Sequence, residues 1–234
     1  MRLAIEKLTL EILGERTFSP FDSKKLVDWA VTVMTLGYES ENLVILAGLD
    51  FDTTEIREKY FWKSIEDLKI DTDKSDEEIL EEYALLIAEK AVAGEISADH
   101  AFGQMRNIVS ASGYDARYMA FYEIDEDLDC LRYNDAVLFN SELTLANQKE
   151  YILEELQLFY EMESLGIPVD ERRKWYCKRC KKLTSPTLKT KYQLRKPFKY
   201  QTWCCGICGS EKHVIGSIHT VKRKIIKEFV GRNT

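Results

Sequence analysis

Cys177-Lys178-Arg179-Cys180 and Cys205-Gly206-Ile207-Cys208 form two Cys-x-x-Cys knuckles with 24 residues between them. A two-residue spacer lets both thiolates of one tight turn reach the same ion, and a tetrahedral site takes four such ligands at about 2.3 Å. Cys177, Cys180, Cys205 and Cys208 are therefore expected to hold one structural Zn²⁺, with no coordination position left for a substrate. Lys181 and Gly209 follow the knuckles, and backbone N–H groups at such turns can donate to the sulfurs. The spacing leaves three other donors in contention: Cys204, which directly precedes Cys205, and His213 and His219 just beyond. Cysteines clustered in metal spacing fit a reducing compartment, so a cytoplasmic location is expected. Cys130 stands apart and reads as a buried small hydrophobe.

Outward from the knuckles the charge divides. The chain carries a net charge of -7, yet Glu171 to Thr234 holds 18 Lys/Arg against 3 Asp/Glu, while the preceding 170 residues hold 15 against 37. A basic segment of +15 thus follows an acidic one of -22. Such asymmetry points to nucleic acid for the basic part, to a basic protein surface for the acidic part, or to docking of one on the other. Between the knuckles lie Lys189, Lys191, Tyr192, Arg195, Lys196, Phe198, Lys199, Tyr200 and Trp203, with Trp175 and Tyr176 just before. Cations can neutralise phosphates while aromatic faces stack on unpaired bases. A small β segment also uses aromatics for packing and lysines for solubility, and the pattern alone does not choose. Beyond the knuckles, Lys222, Arg223, Lys224 and Lys227 with Ile225, Ile226 and Phe229 predict a basic amphipathic helix. It either packs on the acidic body or extends a phosphate-binding surface.

The residues before the knuckles read as helices separated by glycine stops. Asp22 or Ser23 is placed to cap a helix through Leu26, Trp29 and Val33 that Gly37 ends; Leu43 to Ala47 forms a short helix before Gly48; Thr53 or Thr54 starts another. Ser75-Asp76-Glu77-Glu78 is a capping box ahead of Leu80, Tyr83, Ala84 and Ile87. Gly94 closes that helix and Ser97 opens the next. Asp115 precedes a stretch through Tyr118 and Tyr122, then a separate short acidic helix around Leu128 and Leu131. Thr144 starts a last long helix ended by Gly166 and Pro168. The forms around Gly37-Ser40 and Gly94-Ser97 match at an offset of 57 residues, either as a duplication or as a recurrent accident. The expected architecture is mainly α: an acidic all-α domain over 1–169, a small β segment over 170–220 and a basic helix or tail over 221–234. No run approaches the ~18 apolar residues that span a bilayer, so no membrane partner is expected.

Catalysis has little support. His100 is the only histidine before His213 and reads as a satisfied structural histidine without a nucleophile pattern. Glu123, Asp125, Glu126, Asp127 and Asp129 read as a solvated acidic face, since they lack the loop spacing of a Ca²⁺ site. No glycine-rich phosphate loop occurs. The expectation is a non-enzymatic protein with no catalytic residues.

The segment around the cysteines resembles a four-cysteine zinc ribbon. Residues 20–165 resemble a group of small all-helical bacterial proteins of unknown function through Leu26-Val27-Asp28-Trp29-Ala30, Leu43 to Leu49, Ala84 to Ala88 and Gly94-Glu95-Ile96-Ser97. The second resemblance implies a compact helical domain, encountered at times near toxin or defence genes, and carries over no catalytic residue. Together these readings give an adaptor or regulatory protein whose helical body binds a protein partner and whose ribbon binds nucleic acid or that partner. The alternative is an immunity or antitoxin-type inhibitor of a basic toxin such as a nuclease, in a bacterial defence system.

Overall fold

The computed structural model describes residues 2–134 and 136–233; Met1 and Thr234, the outer limits of the expected domains, lie outside them. The protein is mainly α. Eight helices run from α1 (Arg2–Arg16) to α8 (Gln148–Ser164), then a short α9 (Val169–Arg172), five strands and α10 (His219–Asn233). Two compact units emerge, one of the residues to Ile87 with Asn107–Tyr114, the other of Ala88–Arg106 with the residues from Asp115 onward. The division falls within α5 (Asp76–Val92) and α6 (Ala98–Ala111) rather than at Val169.

In the first unit, α2 (Lys24–Thr35), α3 (Glu41–Ala47) and α4 (Thr54–Asp67) bury Leu26, Trp29, Val33, Leu43, Leu46, Phe61 and Ile65 against Ile5, Ile12 and Leu13 of α1. The local signals act as their chemistry requires. Ser40 and Thr53 cap α3 and α4, accepting from the Leu43 and Ile56 N–H groups. Ser75 and Glu78 exchange backbone-to-side-chain bonds of 2.8 and 3.3 Å, the reciprocal box ahead of α5. Ser23 differs. Its hydroxyl does not cap α2 but accepts from the buried Arg57 guanidinium at 2.9 Å, and Arg57 also donates to the Leu49 and Asp50 carbonyls, tying down the turn before α4. Gly37 and Gly94 both take positive φ, and Ser40 and Ser97 three residues on both accept from a first-turn N–H, so the two matched forms share one local geometry. Helix α1 was not anticipated. Its apolar residues Leu3, Ile5, Leu8, Leu10, Ile12 and Leu13 lie around most of the cylinder, so no stripe marks it. Gly14 on this helix lets the Tyr83 ring sit where a Cβ would come within 2.3 Å of it.

In the second unit, α7 (Met119–Asn134) is one continuous helix where the sequence suggested two. Thr144 does not start α8; it pairs reciprocally with Asn147, which stands at the N-cap position. After α9 come β1 (Trp175–Cys177), β2 (Leu183–Thr184), β3 (Pro186–Tyr192), β4 (Lys199–Cys205) and β5 (His213–Val214). The strands β2-β1-β5 make a small antiparallel sheet, and β3-β4 a separate hairpin. Tyr176, Leu183 and Val214 are cross-strand neighbours in the small sheet, and together they pack on Met162 of α8, Ile167, and Val221 and Ile225 of α10. The β segment therefore shares a core with the helices on either side of it. Among the described residues no helix is long and apolar enough to cross a membrane.

Candidate metal centre

Two turns with the same hydrogen bonds build the site. In the first, the Cys177 N–H donates to the Lys182 carbonyl at 3.0 Å and the Lys181 N–H to the Cys177 carbonyl at 2.9 Å; in the second, Cys205 donates to Ser210 at 2.8 Å and Gly209 to Cys205 at 2.9 Å. The fifth residue takes the left-handed conformation in both, φ 60° at Lys181 and 67° at Gly209. These turns bring all four cysteine sulfurs within 4.8 Å of one another. Cys177 and Cys208 approach to 3.6 Å and Cys180 and Cys205 to 3.7 Å, against the ~3.8 Å edge of a sulfur tetrahedron around a metal with 2.3 Å bonds. The four can share one metal ion. No family model, curated protein or solved structure matches the chain.

The other donors lie elsewhere. Cys204 is buried and its sulfur lies 3.8 Å from the Thr202 carbonyl, while His213 stacks on Trp175 at 4.3 Å and His219 faces Glu155 at 3.1 Å. The thiols are unequal. The backbone N–H of Cys180 lowers the pKa of Cys177. Burial opposes ionisation of Cys205, yet backbone donors at Cys208 and Ile207 outweigh it and bring that thiol down to about 6. Burial pushes Cys180 up to about 11. Two thiols poised to ionise beside two others are suited to a cation that completes the deprotonation.

Pairing in the hairpin sorts the basic and aromatic residues between the knuckles. Leu188 opposes Trp203, Thr190 opposes Gln201 and Tyr192 opposes Lys199, so these share one face; Lys189, Lys191, Tyr200 and Thr202 share the other. Lys191 is paired with Glu211. Arg195, Lys196 and Phe198 lie in the exposed connection at the hairpin end, and Tyr192 is 77% and Trp203 48% exposed. Arg195, Lys196 and Lys199 make no ion pair among the described residues.

Helix α10 spends its charge differently. Lys222 and His219 converge on the buried Glu155 of α8, Arg223 pairs with Glu154, Arg232 with Glu171, and Lys224 lies 4.4 Å over the Tyr176 ring. Burial disfavours the Glu155 carboxylate, but Lys222 and His219 more than offset it and hold its pKa below the usual carboxylate value. Of the two fates expected for this basic helix, packing on acidic side chains is the one observed. The acidic run on α7 is also not simply solvated. Asp127 is fully buried and accepts from the backbone N–H groups of Leu138, Phe139 and Asn140; Asp125 pairs with Arg106. His100 lies, exposed, in the first turn of α6, and Cys130, expected to be buried, is only half-buried. The meeting of Glu155 with His219 carried no signal in the sequence, because a contact across 64 residues leaves no local pattern.

Proposed function

We propose that this protein is a non-catalytic zinc-ribbon protein that binds single-stranded nucleic acid through the β3-β4 hairpin, with Zn²⁺ held by Cys177, Cys180, Cys205 and Cys208. The observation that carries the reading is the contrast in how cations are used. Lys222, Arg223 and Arg232 of α10 are matched to Glu155, Glu154 and Glu171, whereas Arg195, Lys196 and Lys199 project without ion pairs among the described residues near exposed Tyr192 and Phe198, with Trp203 farther along the same hairpin. Unpaired guanidinium and ammonium groups release counterions on meeting phosphates, and exposed rings add stacking that tolerates any base. The acidic helices keep the polymer off the rest of the surface by repulsion and serve as the protein-binding half of an adaptor; Phe51, 96% exposed, and Val44 supply apolar anchors there. Titration of labelled oligonucleotides with the full chain tests this. Affinity should fall steeply with salt, and replacing Arg195, Lys196 and Lys199 together by Ala should reduce the log-log salt slope by about 2, at about 0.7 per single-strand phosphate contact. Absence of binding at low salt would remove the nucleic-acid reading.

A further inference from the structure

The second unit contains a half-open cavity of about 810 Å³, lined by α7, α8, α9, the strands around Trp175 and Trp203, and the start of α10. That volume lies within the range of small-molecule and cofactor sites, about 300–1,000 Å³. Its wall combines three kinds of group. Trp175 and Trp203 meet edge to face at 6.0 Å, and the Trp175 ring is fixed by the stacked His213 on β5. Arg173 lies at the exposed edge without an ion pair among the described residues, whereas its neighbours Arg172 and Arg117 both face Glu163. On the α7 and α10 side stand Glu123 and Lys222.

We propose that this cavity binds a nucleotide, its base against Trp203, its phosphate on Arg173 and the polar edge of its base on Glu123. Aromatic surface, a spare guanidinium and a carboxyl in one cavity match the three parts of such a ligand: a π face, a dianionic phosphate and an edge of donors and acceptors. Burial raises the pKa of Glu123, more than Lys222 lowers it, and its carboxyl oxygens accept from the N–H groups of a base edge. The ligand is a free mononucleotide or the last nucleotide of a strand. Continuity with the hairpin makes the second source accessible, because Pro186, Leu188, Thr190 and Tyr192 share a face with Trp203, Gln201 and Lys199. Lys199 and Trp203 are four residues apart on β4, about 13 Å along the strand. A chain held at the tip thus ends at the cavity, and this strand-end form rests on the nucleic-acid reading above.

The test uses the full chain with the four nucleoside monophosphates, the corresponding nucleosides, and oligonucleotides with and without a terminal phosphate. Tryptophan emission and calorimetry report binding. At least one monophosphate should bind saturably, and its nucleoside should bind about tenfold more weakly for loss of one charged hydrogen-bonding site. Arg173→Ala should erase that phosphate preference, Trp203→Ala should weaken every nucleotide, and Glu123→Gln should change the order among bases. Oligonucleotides carrying a terminal phosphate should outbind those without it, again only while Arg173 is present. If oligonucleotides bind but no monophosphate does, and Arg173→Ala and Glu123→Gln leave strand affinity unchanged, the cavity assignment is overturned and the hairpin reading stands. If monophosphates bind and oligonucleotides do not, the cavity assignment holds and the hairpin reading fails.

Discussion

The first unit and the knuckle segment solve the same problem by different means. Around α2 to α4 the chain buries Leu26, Trp29, Ala30, Val33, Leu43, Leu46 and Phe61 to 3% exposure or less, and the rings of Trp29 and Phe61 meet at 5.0 Å. Burial of each such side chain contributes roughly 1.5–3 kcal/mol, so this unit rests on apolar area. The knuckle segment has strands of two or three residues in its sheet, and its fully or nearly buried side chains include Cys177, Cys204, Cys205, Thr184 and Ser210. Its apolar support comes from α8 and α10 through Tyr176, Leu183 and Val214. One region is held by what it excludes from water; the other sets beside its apolar support four sulfurs close enough to share one metal ion.

The largest expected effect follows directly. Removal of one ligand by Cys180→Ser, or of the metal by a chelator, should withdraw on the order of 10 kcal/mol of binding free energy from the knuckle segment. Emission from Trp175 and Trp203 should shift to that of solvated indole while the helical signal of the first unit persists. Elemental analysis should give one zinc per chain for the wild type; full zinc occupancy in Cys180→Ser would remove the four-sulfur assignment.

The next effect concerns the ion pair that attaches α10 to α8. Glu155→Gln leaves the Lys222 ammonium buried without its counter-charge, which should cost about 3–5 kcal/mol, whereas Glu155→Leu with Lys222→Met should recover much of it. Because the folded-state pKa of Glu155 lies below its usual 4.5, its contribution is complete above that value and is lost as pH falls through the lower folded value. Hydrogen exchange along Val221–Phe229 should therefore accelerate in acid before the core of the first unit does. Equal acceleration in both, or none in Glu155→Gln, would show that the pair does not attach the helix.

These contrasts also explain what could be read from the chain. The capping box at Ser75, the left-handed stops at Gly37 and Gly94 and both knuckles are set by residues within a few positions of each other, and the sequence displays them. Helix α1 lacks a stripe, Ser23 is taken from its cap by Arg57, and Glu155, Lys222, His219 and Tyr151 meet across long stretches of chain. The boundary placed at Val169 followed the change in charge sign, but core packing follows apolar contact, and that joins Met162 and Ile167 to Val221 and Ile225. A chain cut at Val169 would expose this cluster.

The smallest effect tests whether the two knuckles are equivalent turns. Both place their fifth residue at positive φ and close the same pair of backbone bonds, but the second uses Gly209 and the first Lys181. A left-handed non-glycine residue costs roughly 1–2 kcal/mol. At Gly209 an added Cβ would meet only the flexible Lys189 Nζ, at an ordinary 3.5 Å, so Gly209→Ala should express the backbone cost alone, about 1 kcal/mol. Lys181→Gly should relieve that cost in the first knuckle while giving some back through a more flexible unfolded chain, leaving a net change within about 1 kcal/mol of zero. Competition for zinc with a chromogenic chelator measures both: Gly209→Ala should release the metal several-fold more readily and Lys181→Gly should hold it nearly as tightly as the wild type. Unchanged zinc affinity in Gly209→Ala, or loss of zinc in Lys181→Gly, would mean that the side chains rather than the backbone set these turns, and the equivalence of the two knuckles would fall.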